Sequence, residues 1–216
     1  GDRESDEELL AAGGHTFAKS RAGALPRDEA LRYVIADDPR PLLVMRECEW
    51  CEGSDDALLS TRLDNERTVL FASWFHMVKL SNHVLESEHP FTNLFDGRSP
   101  PHLFLAMPDG SDPVPLSGQQ SQTELWRAMT AVLERTYAGD AEKAVKKLYR
   151  LLDTFDELDR RENQLHLRFD DELESRGPRS SKLKKIQKEL DSVATKREDA
   201  RRSFDELLDL GIRAAD

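Results

Sequence analysis

The chain has 216 residues, with 31 Lys and Arg against 42 Asp and Glu and a formal net charge of −11 at neutral pH. That balance works against nonspecific binding to nucleic acid or to anionic membrane surfaces, and no apolar run approaches the roughly 20 residues of a membrane span. Hydrophobic content is 38% and charged content 34%, against about 45–50% and about 25% in a typical compact globule, so part of the chain is expected to be an exposed helical element.

The chain begins at Gly1 without an initiator methionine, which points to a processed or trimmed product. A removed export signal is one origin and a trimmed boundary is the other, and the expectation leans to a periplasmic or secreted setting. Residues 1–24 read as a flexible polar arm with at most a helical turn from Glu7 to Ala12. Pro26 followed by Arg27, Asp28 and Glu29 is a helix start, and Leu31, Val34 and Ile35 supply its apolar face until Asp38 and Pro39 close it. Leu42 to Met45 is a short apolar run with the length and content of a buried strand. It ends in Arg46-Glu47-Cys48-Glu49-Trp50-Cys51, which holds both cysteines of the protein.

Beyond Gly53, Ser54 or Asp55 can cap a helix carrying Leu58, Leu59 and Leu63, and Asp64 can cap a second one through Val69 and Leu70. Trp74 to Leu80 reads as the next strand. A long connection from Ser81 to Ser99 leads to a third strand at Leu103 to Met107. Pro108-Asp109-Gly110 is a hairpin turn signal, and Pro113 to Leu116 is a short fourth strand, ending at Gly118, whose prolines put it at an edge. Thr123 to Tyr137 is an amphipathic helix through Leu125, Trp126, Met129, Val132 and Leu133.

From Asp140 the texture changes. Apolar residues from Ala141 to Phe169 and again from Leu183 to Leu207 alternate spacings of three and four around a break at Arg176-Gly177-Pro178-Arg179. Two such helices joined by a turn predict an antiparallel hairpin over 139–216. Folding it about that turn sets Phe169 against Leu190, Phe155 against Phe204, and Glu162 against Arg197. The last two are the charged residues that interrupt the seams, and they are expected to pair. The hairpin reads either as an arm packed back on the domain or as an association module for a second copy or a partner protein. Phe155, Phe169 and Phe204 exceed what one narrow seam needs, which favours the second.

Two cysteines in C-x-x-C spacing point to redox chemistry, a partial metal site, or chance. Zinc needs about four ligands and there is no second cysteine pair, so no metal and no cofactor are expected. Two registers are open. Cys48 to Cys51 can be an ordinary dithiol, or Cys51 can head the following helix with Ser54 where a second cysteine would lie. A thiol at a helix amino terminus has its thiolate stabilised by free N–H groups and the helix dipole, and Cys51 fits that place better than Cys48.

The run Leu42 to Cys51 resembles the first core strand of the thioredoxin superfamily leading into its W-C active site. The two-part helix and the strand Phe75-His76-Met77-Val78-Lys79-Leu80 resemble its bacterial thioredoxin-like branch. Pro101-His102-Leu103-Phe104-Leu105, then Pro108-Asp109-Gly110, then Leu116-Ser117-Gly118 resemble its cis-proline strand, hairpin and terminal glycine. The resemblance spans roughly Arg27 to Tyr137. It implies a thioredoxin-like α/β domain over 25–138, a mixed sheet flanked by helices. It also implies thiol–disulfide exchange on protein or peptide disulfides, with Cys51 as nucleophile and Pro101 as the cis-proline beside which a substrate backbone binds. Trp50 is expected to shield the thiols or to form part of the substrate platform, with core packing the alternative.

Three departures count against catalysis. Ser54 replaces the family's resolving cysteine, which leaves Cys48 as an upstream resolving thiol. Met45 stands where the family commonly has a buried acid. Glu47, Glu49 and Glu52 oppose thiolate formation by like charge. The alternative function is therefore a noncatalytic interaction module that kept the fold. His76, His83, His89 and His102 are scattered along the chain, and His102 reads as a surface histidine at a strand edge, with a place near Cys51, where it would favour the thiolate, as the alternative. Phe91 and Phe95 read as packing residues.

Overall fold

The computed structural model describes residues 23–47, 65–95, 97, 100–116 and 120–213. The helix expected around Leu58, Leu59 and Leu63, the cap expected at Asp64, and residues 1–22 of the expected arm lie outside them.

The protein is mixed α/β. Strand β1 (Leu42–Arg46) lies between β2 (His76–Leu80), which runs parallel to it, and β3 (Leu103–Ala106), which runs antiparallel. Strand β4 (Val114–Leu116) pairs antiparallel with β3, giving the order β2-β1-β3-β4. Pro115 therefore sits on an edge strand opposite Phe104, where its missing N–H breaks no interior ladder.

Period two decides which strand residues enter which layer. Leu42, Val44, Phe104 and Ala106 pack beneath helix α1 (Arg27–Ile35) and the 3-10 turns Asn82–Leu85 and Thr92–Leu94. Those turns organise the long connection, and Phe95 meets Phe104 edge to face at 5.7 Å, as the packing reading expects. Leu43, Leu103 and Leu105 pack on the opposite side, beneath helices α2 (Glu66–Ala72) and α3 (Gln122–Thr136). Helix α3 starts one residue before its expected first residue, at a capping box. Ser121 Oγ accepts from the Glu124 N–H at 3.3 Å while Glu124 accepts from the Ser121 N–H at 2.8 Å.

The second strand is shorter than its apolar sequence predicts, because Trp74 and Phe75 belong to the turn that closes α2. The Phe75 N–H donates to the Ala72 carbonyl at 3.0 Å, and the Trp74 indole donates to the Leu208 carbonyl at 2.8 Å. Both side chains are buried without strand pairing.

Helix α4 (Ala141–Arg176) and helix α5 (Ser181–Leu208) form the expected antiparallel hairpin. Asp140 caps α4 through the Lys143 N–H at 2.9 Å, and Gly177, at φ 74, ends it in the left-handed region that glycine enters without strain. At 36 residues α4 is about 54 Å long. The expected register is present. Phe155 meets Phe204 edge to face at 6.3 Å, and Arg197 donates to Glu162 at 2.6 Å. Arg197 also donates to Asp159.

Glu162 and Arg197 are each about one-third exposed (34% and 35%), so their attraction is screened and fixes register more than it stabilises. Glu162→Lys is expected to cost about 1 kcal/mol in urea unfolding, and the swapped pair Glu162→Arg with Arg197→Glu to recover most of it. Equal losses in both variants would show that the pairing carries no register information.

The root of the hairpin shares the main core. Ala141, Ala144, Val145 and Leu148 of α4, with Leu210 after α5, pack against Phe71, Trp74, Phe75 and Leu133. Past Phe155 and Phe204 the seam of Leu158, Leu165, Ile186 and Val193 forms a separate small core of its own. No helix among the described residues is long and apolar enough to cross a membrane.

Tyr137 joins the two parts. Its hydroxyl donates to the Trp74 carbonyl at 2.8 Å, and its backbone bridges Ile212. Burial pushes the phenol pKa up to about 12. A raised folded-state value means the unfolded chain releases this proton first. Its contribution is therefore intact below pH 10 and is lost between about pH 10 and 12, on the order of 2–3 kcal/mol. Tyr137→Phe should flatten that alkaline limb in a stability-against-pH profile, and an unchanged limb would assign it to other groups.

Candidate functional site

Cys48, Trp50 and Cys51, with Glu49, Glu52 and Ser54, lie outside the described residues. The structure describes the surface they leave from and return to, the carboxyl end of β1 and the start of α2 at Asn65.

Arg46 is the last residue of β1 and shares a face with Leu42 and Val44. It is only 8% exposed. Its Nε donates to the Pro101 carbonyl at 2.9 Å and its Nη2 to the Pro100 carbonyl at 3.2 Å, while its own N–H donates to the His102 carbonyl at 2.9 Å. Burial lowers its pKa from the ordinary arginine value, though a guanidinium keeps its proton in proteins. Among the described residues its side chain is met by two neutral carbonyls and by no carboxylate.

Pro101 lies beside the end of β1, while Cys51, next to which the resemblance puts it, lies outside the described residues. The cis peptide bond expected at Pro101 is absent, since every peptide bond among the described residues is trans. His102 also departs from expectation. It is 7% exposed and not at the surface, because β3 is flanked on both sides: the His102 N–H donates to the Leu116 carbonyl at 3.1 Å while its carbonyl accepts from Arg46. Glu47, the residue before Cys48, donates its N–H to the Leu80 carbonyl at 2.8 Å and pairs with Lys79 at 2.7 Å. Met45 packs against the α2 and α3 side of the sheet.

The remaining histidines do not gather here. His76 lies at the other end of the sheet, its Nδ1 3.0 Å from Asp38 and its Nε2 2.9 Å from the Val34 carbonyl. Asp38 also binds Arg40, which holds its carboxyl pKa down at about 2. His83 pairs with Glu86 at 2.6 Å in the solvent. His89 accepts from the Phe91 N–H at 3.2 Å, and burial lowers its pKa. No group of three His, Cys, Asp or Glu among the described residues is arranged to hold a metal ion.

Arg46 is the residue that sequence reasoning passed over. The signal was present: alternation along Leu42 and Val44 points position 46 to the same buried face. An arginine closing an apolar strand reads by default as the point where the chain meets solvent, and its two carbonyl partners lie 54 and 55 residues away. Arg67 has a different role. Its guanidinium lies 4.6 Å from the Trp126 ring and 5.5 Å from the Phe71 ring, tying α2 to α3.

No protein-family model, curated protein or solved structure matches this chain.

Proposed function

We propose that the protein is thioredoxin-like and exchanges thiols with disulfides through Cys51, with Cys48 as the resolving thiol. One observation carries this reading. The C-x-x-C sequence follows directly on β1, in the connection from β1 to its parallel neighbour β2. A C-x-x-C beside a β-α-β unit is a redox signature, and the carboxyl ends of strands are where open α/β sheets place their chemistry.

In the exchange, the Cys51 thiolate attacks one sulfur of a disulfide, forming a mixed disulfide and expelling the other sulfur as a thiolate. Cys48, deprotonated, then attacks Cys51, expelling the second substrate thiolate and leaving Cys48 and Cys51 joined. The substrate gains two electrons, the protein dithiol loses two, and solvent takes or returns the protons.

The test is the alkylation rate of Cys51 against pH in wild type and Cys48→Ser. Exchange predicts a pKa well below the free-thiol value of about 8.5, together with a Cys48–Cys51 disulfide under mild oxidant. A pKa at the free value with no disulfide would leave the second reading, a noncatalytic interaction module. That reading is favoured by the trans peptide at Pro101 and by Ser54 in the resolving position.

A further inference from the structure

We infer that the cleft between α2, α3 and the start of α4 binds a free α-amino acid with an apolar side chain. The inference does not rest on the exchange reading, and neither depends on the other. The cleft measures about 410 Å³, within the range of small-molecule sites, about 300–1,000 Å³. Arg67 lines it, with its guanidinium 4.6 Å from the Trp126 ring and 5.5 Å from the Phe71 ring. Stacking holds that plane in place, yet no described residue accepts a hydrogen bond from it. Glu142 comes to 3.6 Å of Nη2, beyond the roughly 2.7–2.9 Å of a charge-assisted hydrogen bond. Nε is shielded from solvent while the side chain as a whole is 34% exposed, so the donors a ligand meets are the two Nη groups.

The charges around the cleft select the ligand. Arg67 and Arg127 line it together with Glu134 and Glu142, two of each sign. A simple anion meets two carboxylates there, and a simple cation meets two guanidiniums. An α-amino acid carries both charges on one carbon, the complement of Arg67 and Glu142 lying side by side. Its carboxylate accepts from the two Nη groups as a planar pair. Its ammonium donates to Glu142, which at 45% exposed has room to turn toward it. Trp126 and Ala131 line the same cleft and give the side chain an apolar wall.

The Trp126 indole donates to Thr68 at 2.9 Å, so its N–H resonance reports on this cleft in the full chain. Titration with L-leucine is expected to shift that resonance with a Kd of about 1 mM. Isovalerate and isoamylamine, which each carry one of the two charges, should bind about tenfold more weakly. Glu142→Gln should weaken leucine about fivefold. Arg67→Lys should weaken it about tenfold, because an ammonium does not span two carboxylate oxygens as the planar fork does. No shift with leucine at about ten times that concentration overturns the inference. Isovalerate or isoamylamine binding as tightly as leucine overturns it too, since the site would then recognise a single charge. Leucine binding unchanged in both variants, each folded, would place the ligand elsewhere and sink the assignment.

Discussion

Deleting residues 139–216 is expected to unfold the α/β layer and not to release a free-standing domain. The cut removes Ala141, Ala144, Val145, Leu148 and Leu210 from the main core. It also removes the Leu208 carbonyl that accepts from the Trp74 indole at 2.8 Å. The backbone bonds Ala138 to Gly211, Gly139 to Leu210 and Arg213 to Thr136, at 2.8 to 2.9 Å, go with it. Leu148 is fully buried, and Leu148→Ala alone should cost about 2–5 kcal/mol, against a total stability of about 5–15 kcal/mol for a domain. Losing all five side chains exceeds that reserve. A fragment ending at residue 138 should therefore show no cooperative urea transition and a solvent-exposed Trp74 fluorescence. The informative control shortens the arm instead of removing its root. Replacing residues 157–202 by a short turn removes the distal seam, which among the described residues packs on itself, and should leave the cooperative transition in place. If the 138-residue fragment folds with native-like stability, the core packing of the hairpin root is energetically idle.

Arg46→Ala is expected to destabilise by about 2–4 kcal/mol. Two opposed effects set this figure. Removing a buried charge relieves a desolvation cost of several kcal/mol. Against that, each charge-assisted bond to Pro100 and Pro101 is worth about 1.5–3 kcal/mol, and the stem leaves a cavity beside Val44. The carbonyls decide the balance, because their flanking prolines leave no neighbouring N–H to replace the guanidinium. Arg46→Lys should recover less than half, since a single ammonium cannot span two carbonyls as a planar fork does. Urea midpoints at unchanged slope are the measurement. A loss below about 1 kcal/mol for Arg46→Ala would mean that water replaces the guanidinium at the rim without cost. Because Arg46 lies two residues before Cys48 in sequence, the same variants report whether thiol reactivity depends on the set of this strand end.

The departures from sequence expectation share a physical origin. Trp74 and Phe75 continue an apolar run that reads as strand, yet they leave the strand because the hairpin root and α2 offer them a deeper burial than β2 pairing does. His102 reads as a surface residue because its place is at a strand edge, and it is buried because β1 and β4 close on it from both sides. The textural break at Asp140, where the mixed α/β pattern gives way to heptads, is real in sequence. In the folded protein the same residues continue one core across it.

The sequence by itself determined what depends on periodicity along the chain. The apolar run of β1, the edge position of Pro115, the two long helices, and the hairpin register with Glu162 against Arg197 all follow from local spacing and one turn at Gly177. Those patterns are legible because each residue's partner is set by a count along one helix, strand or hairpin. Only the tertiary structure decided the surroundings of β1's carboxyl end. Arg46 meeting Pro100 and Pro101, the trans bond at Pro101, the burial of His102 and the docking of Leu148 against Trp74 depend on segments far apart in sequence. Such contacts are fixed by how layers close over a sheet, which no local spacing encodes.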